Sequence, residues 1–297
     1  HIKQIGLKKE TIYHAYVLTS AKKLIGVVSL KNIVLAKRGT LIKEIMFKDV
    51  KKINVYQDQE EAISVFKKYD LLALPVIDNN DKLLGIITFD DLIDIIDEEA
   101  TEDFQRIAAV VPIEKPYLRD DLLNILWKRS FWLVLLVVLG SASGFILQRF
   151  QFAIQRCIAL SFFLPMLVDT GGNAGTQSST IVIRSLAVGE IRVGDFFRVV
   201  LRESMLGIFL GAILALASIL RVFFQEYNWS LSFSVGISMG LTVTISAIIG
   251  ASLPILLKRI KLDPALMSGP LLTTIIDILG IIIYFWIANR FLFLFNA

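Results

Sequence analysis

Cysteine is almost missing from this chain: one thiol, Cys157, and two histidines occur among 297 residues. A disulfide within the chain is therefore excluded, and so is a Cys/His metal cluster. There is no GxxxxGK[ST] phosphate loop and no HExxH pair, and no nucleophile elbow is read, so nothing resembles an enzyme. A strong charge imbalance is lacking too, since 31 basic against 27 acidic residues leave a net charge of +4. The basic residues are spread over loops and helix ends, not gathered in a groove with interleaved aromatics, which excludes nucleic acid as a partner. No signal-peptide pattern opens the chain. Its first residues read as the middle of a domain, so the expectation is that part of the natural N-terminus precedes His1.

What is present is unevenly placed. Residues 1–129 carry dense charge and soluble-domain patterning, whereas 130–297 are long apolar runs interrupted by polar loops. Five membrane-crossing segments are expected, at 130–147, 152–183, 199–224, 231–257 and 265–290. The second contains DTGGNAGTQSST at 169–180 and is too polar for one plain helix. It is expected to kink or unwind against protein or water. Lys128, Arg129, Arg184, Arg192, Arg198, Arg202, Lys258, Arg259 and Lys261 fall on the side of the soluble half, against Arg149, Arg156, Arg221 and Arg290 on the other. The positive-inside rule then puts the soluble half in the cytoplasm and the C-terminus outside. Three small-xxx-small pairs, Gly140/Gly144, Gly207/Gly211 and Gly236/Gly240, allow close helix approach.

One residue in the last apolar run decides the functional reading. Asp277 stands near the middle of 265–288, a stretch long enough to cross a hydrocarbon core of ~30 Å. A carboxylate at that depth costs on the order of 3 kcal/mol, so it faces a water-filled path, a partner or an ion. Gly269, Thr273, Asp277, Gly280 and Tyr284 recur at steps of three and four, one polar-to-small stripe on a Leu/Ile-rich helix. Such a stripe lines a cation path; the alternative is a packing face with one hydrogen-bonded Asp.

The soluble half holds an internal repeat. Residues 16–36 match 75–95 at a constant offset of 59, with Gly26 on Gly85, Ser29 on Thr88 and Asn32 on Asp91. Each copy reads as strand, polar turn, strand, helix, with a short strand at 52–55 and an amphipathic helix at 59–69 between them. The pattern resembles a tandem pair of cystathionine-β-synthase (CBS) domains, 1–44 and 45–98, the first cut short at its start. That resemblance implies an adenosine nucleotide such as ATP at Thr88 and Asp91. The other reading of Thr88 is a cap for the helix after it. From Asp90 to Asp103 eight acids occur with no Lys or Arg among them. Like charges at helical spacing repel, so the run is a site for a hard divalent cation or a solvated acidic face. A connector follows at 99–129, with helix over 104–111, a break at 112–116 and a helix at 118–127 lying on the membrane surface.

Taken in order, the CBS pair, the EEATEDF connector, the five spans, TGGNAGTQ at 170–177, AVGE at 187–190 and DPALMSGPLLTTIID at 263–277 resemble the MgtE-type Mg²⁺ channels and transporters. The family's additional N-terminal acid-rich domain is not in this sequence. The resemblance implies an α/β CBS pair followed by an all-α polytopic membrane domain of five helices, 130–297, in the lipid of the plasma membrane. It implies a homodimer importing Mg²⁺ through a pore lined by the second and fifth spans, with Asp277 of both copies as ion ligand. Asn173, Thr176, Thr273 and Gly269 are the candidates for the remaining lining. Regulatory Mg²⁺ would bind among Asp91, Asp94, Glu98, Glu102, Glu190 and Asp263 and close the pore. A proton- or sodium-coupled carrier would show repeats between membrane halves, and none is read in 130–297. A membrane-anchored CBS sensor would need no buried charge.

Overall fold

The computed structural model describes residues 12–113, 115–267 and 269–293. The chain divides into two compact units, His1–Thr101 and Glu102–Ala297.

In the first unit, β1 (His14–Leu18) and β2 (Leu24–Ser29) pair antiparallel, followed by α1 (Leu30–Leu35) and α2 (Ile42–Ile45). Then come β3 (Ile53–Asn54), α3 (Gln59–Tyr69), β4 (Ala73–Ile77), β5 (Leu83–Thr88) and α4 (Phe89–Ile107), whose residues from Glu102 on belong to the second unit. β3 runs parallel to β4, and β4 antiparallel to β5. The repeat is visible in the ladders, since His14 faces Ser29 as Ala73 faces Thr88, and both registers shift at matching steps, Val17/Leu18 and Val76/Ile77. Lys22 and Asp81 occupy the same turn position with φ of 61° and 62°. The copies also bond reciprocally: the Leu24 amide donates to Asp81 O at 2.9 Å and the Leu83 amide to Lys22 O at 3.1 Å. α3 starts because the Asp58 side chain accepts from the Glu60 amide, and it stops at Asp70 in the left-handed region. Its Ala62 and Phe66 bury against Ile53, Leu74 and Leu92, which form the core of this unit.

The second unit is helical. It comprises α5 (Leu122–Arg149), α6 (Gln151–Arg156), α7 (Ala159–Ala187), α8 (Phe196–Glu226), α9 (Trp229–Arg259) and α10 (Pro270–Ala288). Four of these, α5, α8, α9 and α10, are long and apolar enough to cross a bilayer, with mean hydropathy between 2.0 and 2.3. α7 has 29 residues, more than the ~20 a crossing needs, and is the polar one. Leu160, Phe163 and Leu167 of α7 pack with Val235, Met239 and Val243 of α9 and Ile281, Tyr284 and Phe285 of α10 to form the core. Two of the small-residue pairs are used inside this bundle: a methyl group placed at Gly211 would stand 2.5 Å from Gly240 O, and one at Gly236 2.9 Å from Ala215 O. Gly140 and Gly144 face open space.

Three expectations are corrected. The segment 169–180 does not unwind but is helical throughout, because a helix satisfies its own amides and the glycines in it let α7 press against its neighbours. The break in that span comes earlier, at Cys157 between α6 and α7, where φ is −142° and ψ 89°. There is no separate surface helix at 118–127: Leu118 is 93% exposed, and α5 runs unbroken from Leu122 into the first span. No Gly or Pro occurs between Leu118 and Leu139 to break it. The connector helix likewise stops at Ile107, ahead of Ala109 at a φ of 54°. Finally, Gly236-Ile237-Ser238-Met239-Gly240 has the letters of a nucleophile elbow, but it lies inside α9 and Ser238 donates to Ser234 O at 2.7 Å. It has no strand–turn–helix context and is not a nucleophile.

Candidate functional site

The chemistry concentrates where α7 meets α10. Gly269 turns the chain into α10 with φ of 58°, and a methyl group there would stand 2.4 Å from Ile107 O, so glycine is required on both counts. Pro270 opens the helix. The hydroxyls of Thr273 and Thr274 both donate to Pro270 O, at 2.9 and 2.8 Å, which leaves their lone pairs as acceptors. One turn further on, Asp277 is half-buried.

Glycines on α7 bring the two helices together. A methyl group at Gly172 would stand 3.2 Å from Thr273 Cγ2, one at Gly171 3.2 Å from Ile276 Cγ2, and one at Gly175 2.2 Å from Ile276 Cδ1. α9 closes from the third side, since a methyl at Gly250 would stand 2.2 Å from Gly175 O. With the glycine face buried, the opposite face of α7 is exposed over Asp169, Asn173, Gln177, Thr180 and Arg184, with Thr176 half-buried beside it. Asn173 Nδ2 donates to Asp169 Oδ2 at 3.3 Å.

The geometry thus brings Asp277, Thr273, Asn173 and Thr176 onto two adjacent helices, with Gly269 at the start of one. The lower part of the expected α10 stripe does not line a path. Gly280 packs on Leu167 and Thr242, and the buried Tyr284 hydroxyl donates to Leu160 O at 2.9 Å. A small residue and an aromatic at the right period serve packing here.

The expected regulatory acids are differently placed. Asp91 Oδ2 accepts from Thr88 Oγ1 at 2.6 Å and from the Thr88 amide at 2.7 Å, and these two bonds, the hydroxyl's first, hold its carboxyl below the ordinary range. Thr88 is 7% exposed. Asp94 and Glu98 are exposed on α4. In the second unit Glu102 and Asp263 are brought together by Arg106, which pairs with both. Glu190 is exposed at a cleft of ≈ 530 Å³ also lined by Arg198, Arg202 and Glu203. Among the described residues no three His, Cys, Asp or Glu side chains converge as a metal-ligand group. The Glu102/Asp263 pair offers hard oxygens that suit Mg²⁺, but a cation there has to compete with the Arg106 guanidinium.

Three residues were missed in the sequence reading. Arg106 was signalled by its spacing four residues after Glu102. Asp169 was quoted only as the first letter of a motif, although it too is a carboxylate beside an apolar run. Glu203, 9% exposed within α8, accepts from Ser178 Oγ at 2.7 Å.

Residues 164–287 match the MgtE family, described as a divalent cation transporter, and residues 42–98 match the CBS domain. The chain is 38% identical over 288 residues to the magnesium transporter MgtE of Bacillus subtilis, covering 95% of this chain and 62% of that protein. It is 38% identical over 283 residues to the magnesium transporter MgtE of Thermus thermophilus, covering 95% and 63%. The chain therefore spans less than two thirds of the length of these relatives. Among solved structures, the soluble part of a magnesium transporter is similar at 42% identity over 33% of this chain and 39% of that one, with a TM-score of 0.33. The cytosolic domain of the Mg²⁺ channel MgtE in complex with ATP is similar at 36% identity over 32% and 38%, with a TM-score of 0.31.

Proposed function

Because residues 164–287 match the MgtE divalent cation transporter family and residues 42–98 a CBS domain, we propose that this chain imports Mg²⁺ across the plasma membrane as a homodimer. The observation that carries the reading is the polar face of α7 beside Asp277 of α10, left uncovered in a single copy. Polar groups at bilayer depth meet protein or water, and a second copy across a two-fold axis encloses them in a wet pore. Mg²⁺ sheds water reluctantly, so Asp277 with the oxygens of Asn173, Thr176 and Thr273 holds a largely hydrated ion, partly through water. Under the positive-inside rule the CBS side is cytoplasmic and the C-terminus outside.

Gating follows by linkage. Cytosolic Mg²⁺ bound among Asp91, Asp94, Glu98, Glu102, Glu190 and Asp263 stabilises a closed arrangement by about 1.4 kcal/mol per ion at tenfold over Kd. At Glu102 and Asp263 the ion first has to displace Arg106. An adenosine nucleotide such as ATP at Thr88 and Asp91 would have to exchange the bond between them, and the transport reading does not depend on it.

The test is Mg²⁺ uptake into vesicles holding the purified chain. Asp277→Asn is expected to abolish uptake while melting temperature and copy number per particle stay as in the unmodified chain. Undiminished flux through Asp277→Asn would sink the pore assignment. Uptake that requires an imposed proton or sodium gradient would favour the coupled carrier, and none under any gradient the membrane-anchored sensor.

A further inference from the structure

The pathway as read from the sequence contains one carboxylate per chain, and the geometry supplies another. Leu167 Cδ2 lies 3.3 Å from the position a methyl group at Gly280 would take, and a methyl at Gly171 would lie 3.2 Å from Ile276 Cγ2. α7 and α10 run antiparallel through these contacts. Asp169, midway between Leu167 and Gly171, is therefore level with the turn of α10 that holds Asp277. Both side chains are at least partly open, and Asp169 heads the exposed stripe that continues through Asn173.

Nothing fixed neutralises them. α10 contains no Lys or Arg, and the one basic residue of α7 is Arg184, about four helical turns from Asp169. Neither carboxylate has an ion pair among the described residues. Resting on the transport reading above, we propose that Asp169 is a specificity-determining residue of the ion pathway, paired in depth with Asp277, and that the pair selects divalent over monovalent cations. Coulomb attraction scales with the product of charges. Each divalent ion cancels two of these carboxylates, whereas each monovalent ion cancels only one. The Asn173 amide orients Asp169 Oδ2 and holds the carboxylate in the stripe.

The experiment uses the intact chain in vesicles, with Mg²⁺ uptake and equilibrium Mn²⁺ binding as paired readouts, each with and without K⁺ as competitor. Asp169→Asn keeps shape and polarity and removes charge. It is expected to raise half-saturating Mg²⁺ and the Mn²⁺ Kd about tenfold, a loss of the size that one charge contact carries, and to let K⁺ compete. Asp169→Glu, which keeps the charge, is expected to stay within about threefold of the unmodified chain on the same scale. Unchanged values in Asp169→Asn, or equal shifts in the Asn and Glu variants, would overturn the proposal, the latter by showing a packing effect. If Asp169→Asn loses its melting transition, Asp169→Ser takes its place with the same expectations. Mn²⁺ binding that depends on Asp169 in a chain that moves no Mg²⁺ would overturn the transport reading, and with it the role in an ion pathway, and leave only a divalent-cation site at Asp169.

Discussion

Replacing Gly250 by alanine tests the helix crossing that the pathway depends on. The added methyl would stand 2.2 Å from Gly175 O, 2.9 Å from Gly175 C and 3.1 Å from Gly175 Cα, all backbone atoms of α7. No side-chain rotation relieves such a contact. To reach an ordinary separation of ~3.5 Å, α7 and α9 must part by roughly 1 Å. Overpacking of this kind costs about 1–3 kcal/mol, while Gly→Ala in a helix returns about 1 kcal/mol, leaving a net loss of about 0–2 kcal/mol. Gly144→Ala is the control, because nothing lies within 4 Å of its methyl position and only the helix gain of about 1 kcal/mol remains. The two variants should therefore differ by about 1–3 kcal/mol in denaturant unfolding of the purified chain in detergent. Gly175→Ala should fall between them, since the 2.2 Å contact is with the mobile end of Ile276 but Ser246 O stands at 3.2 Å. Mg²⁺ uptake should fall furthest in Gly250→Ala, because the displaced helix carries Asn173 and Thr176. A Gly250→Ala chain as stable as Gly144→Ala would refute the close crossing.

How much of this was legible in the sequence depended on the range of the interaction. The CBS repeat was readable down to its turns because strand, turn and cap are written in neighbouring residues: Asp78 Oδ1 accepts from the amides of Asn80 and Lys82, and Ser29 caps α1 as Thr88 opens α4. Asp277 was legible for a different reason, as a single charge in an apolar run. The course of α7 was misread because polar composition was taken to mean an irregular backbone. The small residues in 169–180 instead allow a regular helix to lie against two others, and that depends on partners far away in sequence. The same distance hid the pairing of Arg106 with Asp263, 157 residues apart, and the shared depth of Asp169 and Asp277. A face of α10 at helical period was readable, but which half of it packs was decided by Leu160, Leu167 and Thr242 on other helices.

Two further predictions concern charge outside the bilayer. The carboxyl of Asp91 titrates below its ordinary value because it accepts from Thr88, so its stabilisation is present above the unfolded value of ~3.9 and fades as pH falls through the folded one. Asp91→Ala should therefore cost up to about 1 kcal/mol at pH 7, a cap-sized loss reduced by exposure, and almost nothing once the carboxyl is protonated. Denaturant unfolding at several pH values checks this, and a cost independent of pH would show that the charge plays no part. Arg106→Gln removes the cation that holds Glu102 and Asp263 together, leaving two half-buried carboxylates facing each other. The loss of charged hydrogen bonds should destabilise the second unit by about 1–3 kcal/mol. A divalent ion can now enter without competition, so Mg²⁺ at tenfold over Kd should restore about 1.4 kcal/mol. The readout is the melting temperature with and without Mg²⁺: the variant's should rise more steeply with Mg²⁺ than that of the unmodified chain, in which Arg106 holds the same oxygens. A variant that melts lower and ignores Mg²⁺ would show that Glu102 and Asp263 are an ion-pair anchor for the start of α10 and not part of the metal sensor.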